Sequence, residues 1–331
     1  MPEMPTLGAP PKQAPIVPIA LTAVVVGLLL GGIFWLKKAP AEAPPPPEPP
    51  PAVAEAPPPA PEPAEVSPFR VVTVTITGPL ESAIVASEGK EIGAPLTQVV
   101  TRALVWWLRV PQDLVRGDTL SAIYETRTGQ EPLLHAVRFN SQKLGRELAT
   151  YRFKADGEPH ARFYLPDGKE LEERLVDSPI ESYEQITSLL RDGRRHQGVD
   201  FKAPSGTPVK ATFDAVVSRK NWNFRGNGNS VELRELNGGR TALYLHLSEL
   251  PKSLAVGQKL KKGQVFAQSG NTGRSFAPHL HYQLMKGSQV LDPFEAHATG
   301  RNTLPEGARA AFEAHVKGMD ARFPSTYLPT R

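Results

Sequence analysis

His196-Gln197-Gly198-Val199-Asp200, Tyr244-Leu245-His246-Leu247, and Gly270-Asn271-Thr272-Gly273 running on to His279-Leu280-His281 gather half of the chain's eight histidines and one carboxylate near its C-terminal end. Their spacing restricts the backbone that can carry them. In an extended strand each residue rises about 3.3 Å, so His196 and Asp200 would stand roughly 13 Å apart, too far to share an ion with bonds of about 2 Å. The chain must turn between them, and Gly198 is placed to allow it. Pro204 and Gly206 follow closely and argue against a helix. His279 and His281 differ, because positions i and i+2 of a strand point to one face and both rings can enter one pocket. One can ligate while the other stands beside a bound water.

Three nitrogen or oxygen donors with one open position make the catalytic form of a zinc site, and two His with one Asp leave the centre positive and Lewis-acidic. Such an ion lowers the pKa of its water to about 7 and polarises a carbonyl oxygen. His246 and the spare ring of the His-Leu-His pair suit proton transfer and charge stabilisation. The chain has no cysteine, which excludes a thiolate-rich structural zinc site. Taken singly, each segment has an ordinary reading. A His four residues before an Asp is common by chance, and Tyr-Leu-His-Leu also describes a buried strand with a hydrogen-bonded histidine. His135, His160, His297 and His315 lack such company and read as surface or packing residues.

The ordered set is more specific than its parts. The stretch His196-Gln-Gly-Val-Asp200-Phe-Lys-Ala-Pro-Ser-Gly206-Thr-Pro208-Val, then Tyr244-Leu-His246-Leu-Ser, then Gly257-Gln-Lys-Leu-Lys-Lys-Gly263-Gln, then Ser269-Gly-Asn-Thr-Gly273-Arg-Ser-Phe-Ala-Pro-His279-Leu-His281-Tyr, resembles the lysostaphin-type (LytM) zinc endopeptidases that cut peptide cross-links in bacterial cell walls. The resemblance spans roughly residues 190 to 295. It implies His196, Asp200 and His281 as ligands of Zn2+, and His246 and His279 as the catalytic pair. Two positions depart from the family pattern. Ala215 and Ala277 stand where glycine is usual, and either is expected to narrow or reshape the substrate groove without removing a ligand.

The other end of the chain bears on location. Residues 16–36 form an uncharged apolar run of about twenty residues, long enough for one helix to cross a bilayer core of roughly 30 Å. Trp35 and Lys37-Lys38 resemble interface anchors. Small-x-small triplets at Ala39-Pro40-Ala41 and Ala41-Glu42-Ala43 offer a cleavable signal peptide as the alternative, but the run is longer than a usual signal core, and an uncleaved anchor is expected. The flanking charges oppose an N-in orientation, since Lys37 and Lys38 outnumber Lys12. A wall substrate nonetheless exists only outside the cytoplasmic membrane, so the expectation is a single-pass protein of the cell inner membrane with a periplasmic catalytic domain. Residues 1–15 are then cytoplasmic. Residues 37–68 are a Pro/Ala/Glu-rich linker that cannot bury a core and favours polyproline II. At about 3.1 Å per residue it spans on the order of 90 Å.

Residues 69–179 read as a smaller, β-rich α+β unit. Strands are expected over 71–77, 119–125, 133–139, 150–154 and 160–165, and a helix over 95–108 with Pro95 at its first position. The runs Asp113-Leu-Val-Arg-Gly117-Asp118-Thr-Leu-Ser-Ala-Ile-Tyr124-Glu125 and Phe163-Tyr164-Leu-Pro-Asp167-Gly168-Lys-Glu-Leu resemble the domains that precede the peptidase in Gram-negative murein DD-endopeptidases. By that resemblance the unit binds wall material or covers the active site. Residues 180–300 are expected to be the zinc peptidase domain. Residues 301–331 form a C-terminal helix and tail, with Phe312, Val316, Met319 and Phe323 at helical spacing after Pro305 and packing back on a domain.

The fold class that emerges is mainly β: an antiparallel LytM-type peptidase domain, a smaller α+β domain before it, and an N-terminal transmembrane helix. A net charge of +4 without a basic cluster interleaved with aromatics argues against nucleic acid. The expected partners are peptidoglycan, the cytoplasmic membrane and a regulatory protein. The expected function is zinc-dependent hydrolysis of peptide bonds in peptidoglycan stems or cross-links. A non-catalytic wall-binding or amidase-activating regulator on the same fold is the alternative.

Overall fold

The structure, a computed structural model, describes residues 68–190 and 196–324. The expected cytoplasmic segment 1–15, the anchor at 16–36, the linker up to residue 67, residues 191–195 of the peptidase region and the tail 325–331 lie outside the described residues. Among the described residues no helix is long and apolar enough to cross a membrane.

The first half of the described chain runs β1 (Arg70–Thr75), α1 (Leu80–Glu88), α2 (Lys90–Leu104), β2 (Thr119–Glu125), β3 (Leu133–Ser141), β4 (Arg146–Phe153) and β5 (Arg162–Tyr164). The five strands form one sheet in the order β1-β2-β3-β4-β5, antiparallel throughout. Both faces of this sheet are covered, so β2 is buried without a break from Leu120 to Tyr124 rather than at alternate positions. One face carries Val72, Leu120, Tyr124 and Phe139 against Leu96, Val100 and Leu104 of α2. The opposite face carries Ile123, Ala136, Tyr151 and Tyr164, and α5 (Arg309–Asp320), the last helix of the chain, seals it with Phe312 and Met319.

Two helices of the first half differ from the sequence expectation. The helix expected over 95–108 begins at Lys90, which leaves Pro95 inside it, and α1 before it was not anticipated. Tertiary contact explains both. The two helices meet at Gly93, where an added Cβ would lie 2.7 Å from the Val85 Cα, so their close approach outweighs the hydrogen bond lost at Pro95. The C-terminal helix starts at Arg309, after a turn at Gly307 with φ 86°, so Pro305 lies before it and not at its first position.

The chain continues through β6 (Arg174–Leu175), β7 (Gln185–Ser188), β8 (Val199–Lys202), β9 (Pro208–Lys210), β10 (Ala215–Lys220), α3 (Phe224–Asn227), β11 (Asn229–Glu235), β12 (Arg240–Leu247), β13 (Lys259–Leu260), β14 (Val265–Gln268), β15 (His279–Lys286), β16 (Gln289–Leu291), α4 (Pro293–Ala296) and β17 (Thr299–Gly300) before α5. The main sheet has the order β13-β10-β11-β12-β15-β8-β7, with β16 added beside β15. Its inner face presents Val199, Phe201, Val217, Leu233, Tyr244, Leu280 and Tyr282, which pack with Val209, Phe266 and Ala267 of the small β14-β9 sheet. Strict alternation then sends Asp200, Lys202, His279 and His281 to the other face.

Both sheets belong to one compact unit. Trp106, just beyond α2, packs against both cores and meets Phe294 of α4 edge-on with ring centroids 5.6 Å apart. β6 pairs with β17, and Arg301 donates to the Leu171 carbonyl and pairs with Glu173 at 3.1 Å.

Candidate metal centre

Strands β8 and β15 are neighbours, and their register sets Asp200 opposite His281. The side chains meet on the outer face. His281 Nδ1 lies 2.9 Å from Asp200 Oδ1, His196 Nε2 lies 3.2 Å from the same oxygen, and the two ring nitrogens are 3.1 Å apart. Donors bound tetrahedrally at about 2.0–2.1 Å stand roughly 3.3 Å from one another, so this triangle matches one face of such a coordination shell. Two imidazole nitrogens and a carboxylate oxygen at this spacing fit a metal ion, and these are the three residues among the described ones whose donor atoms converge in this way.

The supporting contacts aim the donors. His196 Nδ1 stands 3.1 Å from the Leu189 carbonyl and 2.7 Å from Ser188 Oγ. A carbonyl only accepts, so this contact assigns the ring proton to Nδ1 and leaves the Nε2 lone pair facing the centre. Gly198 serves a purpose other than the turn expected of it. Its φ is not left-handed; a Cβ there would lie 2.7 Å from His281 Nε2 and 2.6 Å from the Tyr282 carbonyl, so glycine makes room for the ligand ring. Burial opposes ionisation of Asp200, but hydrogen bonds from His196 and His281 outweigh it and hold its carboxyl well below the usual carboxylate range.

His246 and His279 stand beside the triangle. Tyr244 and His246 are two apart on β12 and in a regular strand would share the core face. The register between β11 and β12 slips there, and His246 adopts φ 61°, a bulge that turns its ring out of the core. His246 Nδ1 is 3.0 Å from the Thr272 carbonyl, and His279 Nδ1 is 2.8 Å from the Ala277 carbonyl and 3.1 Å from Ser275 Oγ. By the same argument both rings carry their proton on Nδ1 and expose Nε2. The ring centroids are 4.7 Å apart, and His279 Nε2 is 3.8 Å from Asp200 Oδ1. Burial first, then the neighbouring His279, lowers the His246 pKa to about 4, so this imidazole is neutral near pH 7.

Several positioning residues escaped sequence reasoning. Thr272 accepts from the Asn229 amide at 2.9 Å and donates to the Leu247 carbonyl at 2.6 Å, which fixes the carbonyl that holds His246. Its loop closes against Gly228, where a Cβ on Gly273 would meet the Gly228 amide nitrogen at 2.2 Å. Thr272 sits inside the quoted Gly-Asn-Thr-Gly run, whereas nothing in the spacing marks Ser188, Leu189 or Ser275. Ala215 requires a correction: it is fully buried in the core of the main sheet and so does not line a groove, while Ala277 is exposed beside His279.

Comparison with known proteins follows the same residues. Residues 194–293 match the profile described as Peptidase family M23. The catalytic domain of lysostaphin from Staphylococcus simulans is 34% identical, and the match covers 38% of this chain and 90% of that one, with a TM-score of 0.30. The chain belongs to peptidase family M23. The M23 region contains all five histidine and aspartate positions of the centre. The peptidoglycan DD-endopeptidase ShyA of Vibrio cholerae is 31% identical over 240 residues, 69% of this chain and 53% of that protein. A zinc-containing peptidase from Vibrio cholerae is 25% identical over 68% of this chain and 70% of its own, with a TM-score of 0.33. The chain spans about half the length of the curated relatives it matches, or less.

Proposed function

We propose that this M23 chain is a zinc-dependent endopeptidase that hydrolyses peptide bonds in peptidoglycan stem peptides or cross-links. The observation that carries the reading is the donor triangle of His196, Asp200 and His281 with two further imidazoles beside it, each held through Nδ1 by a main-chain carbonyl so that Nε2 faces the same space. The relatives' names add to it, since they include a peptidoglycan DD-endopeptidase and a glycyl-glycine endopeptidase. His196 Nε2, Asp200 Oδ1 and His281 Nδ1 would hold the zinc. When bound, the ion supplies Lewis acidity toward a carbonyl oxygen and an acidified water.

The remaining work falls to side chains. His246 Nε2, neutral near pH 7, is placed to take a proton at that atom while the Thr272 carbonyl steadies its ring. His279, held by Ala277 and Ser275, faces the same space and orients a substrate carbonyl or passes a proton to a departing amine. Such chemistry on a wall peptide fits the outer face of the cytoplasmic membrane. We accordingly place the chain there, anchored through residues 16–36 with residues 37–68 as its spacer.

The test is digestion of purified sacculi with the full chain, reading the soluble muropeptides by mass. Products shortened at peptide bonds, and their absence when a chelator has removed the metal, are expected. If the zinc-loaded chain releases no wall peptide, the non-catalytic regulator becomes the better reading.

A further inference from the structure

A cavity of about 360 Å³ lies between the accessory sheet and strands β7 and β8, within the size range of small-ligand sites. Arg127 from the turn after β2, Arg152 from β4 and Lys154 just beyond it line this cavity. Among the described residues, none of these three has a carboxylate within ion-pair distance.

The acids that share the cavity are committed elsewhere. Glu131 is held by Arg102 at 2.8 Å and by Lys202 at 3.3 Å, and Lys202 also holds Glu184 at 3.1 Å. Glu172 is buried, and burial pushes its carboxyl up to about 8, so it carries little charge near pH 7. The Arg152 guanidinium is half-buried; burial disfavours its charge, and Arg127 adds to that, while Glu184 and Glu125 act in the opposite sense without contact. Arg127 and Lys154 are exposed, whereas Arg152 is partly withdrawn from water without a bonded anion, which is unfavourable, and an anion from outside relieves that cost.

The position of the cavity narrows the class of anion. Its wall on the peptidase side includes Lys202, two residues beyond Asp200 on β8. Alternation puts the two side chains on one face, about 7 Å apart along the strand. The cavity therefore adjoins the face on which a substrate meets the metal centre.

We infer that this cavity is an oxyanion subsite that takes a free carboxylate of a peptide lying across the metal centre. The identity of the ligand as a peptide rests on the peptidase reading, whereas the preference for an anion rests on the cavity alone. A guanidinium grips a carboxylate through two parallel N–H bonds, and Lys154 supplies a point charge beside it. Phosphate shares this chemistry, and the nearness of the metal centre favours the carboxylate of a peptide.

The test measures binding rather than turnover. The full chain is titrated, by nuclear magnetic resonance, with L-alanyl-γ-D-glutamate, with the same dipeptide amidated at both carboxyls, and with inorganic phosphate. The free dipeptide is expected to bind at least about tenfold more tightly than the diamide, as loss of a charge-assisted pair worth 1.4 kcal/mol or more requires. The double variant Arg152→Gln/Lys154→Gln is expected to lose that preference while keeping its metal content and thermal midpoint. If the double variant does not fold, Arg127→Gln at its exposed turn takes its place, with a weakened preference expected. Equal binding of dipeptide and diamide, an unchanged preference in the folded variants, or saturation by phosphate alone overturns the inference. Cleavage of sacculi without carboxylate-dependent binding leaves the peptidase reading standing and this one overturned. Carboxylate-dependent binding without cleavage does the reverse.

Discussion

His281 ties the two other donors of the triangle together. Its Nδ1 touches both Asp200 and His196, while its Nε2 edge rests where a Cβ on Gly198 would stand. Replacing it with alanine leaves two donors, one of them a carboxylate, too few to hold zinc against water. Elemental analysis of His281→Ala should find most of the zinc gone, and stoichiometric zinc would remove this residue from the ligand set. His246 and His279 stand outside the triangle, held by main-chain carbonyls rather than by the other donors. His246→Ala and His279→Ala should each retain zinc and lose about 10² to 10⁴ in cleavage rate, the range for a positioned acid or base. Turnover like that of the unaltered chain, in a variant that retains zinc, would move the proton chemistry to another group. The spacing of His196 and Asp200 is readable in the sequence as a demand for a turn, and the i, i+2 pair as a demand for a strand. The outward aim of His246 is not readable, because strand alternation alone assigns it to the core beside Tyr244 and only the bulge reverses that.

Helix α5 shows how distant segments decide an element's role. It follows the peptidase sheet in sequence but packs on the accessory sheet, where Phe312 is fully buried edge-on to Phe153 and Tyr164 at 5.5 and 5.8 Å. Tyr151 donates to Asp320 at 2.6 Å, and Arg138 pairs with the same carboxylate at 2.7 Å. Removing a buried Phe ring of this kind typically destabilises by about 3–5 kcal/mol. Phe312→Ala should therefore lower the urea midpoint markedly in the full chain; an unchanged midpoint would mean that the helix does not cover the sheet in solution. The periodicity of Phe312, Val316, Met319 and Phe323 makes the buried stripe legible, but not which sheet receives it. Strand β2 is legible to the residue because its run of strand-favouring residues is bounded by turn signals on both sides. The start of α2 is not, because local propensity favours Pro95 as a first residue while the contact of Gly93 with Val85 extends the helix backwards.

At the scale of the whole molecule the two sheets are joined by the chain from β5 to β7, and that junction holds charges that respond to pH. Glu172 is fully buried there, accepts from the Ile186 amide at 3.3 Å, and faces Glu170, Arg162, Arg174 and the ring of Tyr183. Glu170 takes the Arg174 guanidinium through two bonds of 2.7 and 2.6 Å, and among the described residues Glu172 has no cation in direct contact. Burial first, and then Glu170, raises the Glu172 carboxyl to about 8 from an ordinary value of 4.5. The sign follows from linkage: below about pH 4.5 folded and unfolded chains both hold the proton and the group is neutral in the balance. Between about 4.5 and 8 the unfolded chain has released the proton and the folded chain retains it, so stability falls as pH rises, and the loss is complete above about 8. A glutamine keeps an acceptor for the Ile186 amide but never ionises. Glu172→Gln should match the unaltered chain at pH 4 and exceed it at pH 9 by on the order of 2–4 kcal/mol, the advantage growing through the interval between. Unfolding in urea at both pH values measures it, and an advantage that is the same at pH 4 and pH 9 would show that the carboxyl is not neutral in the folded chain.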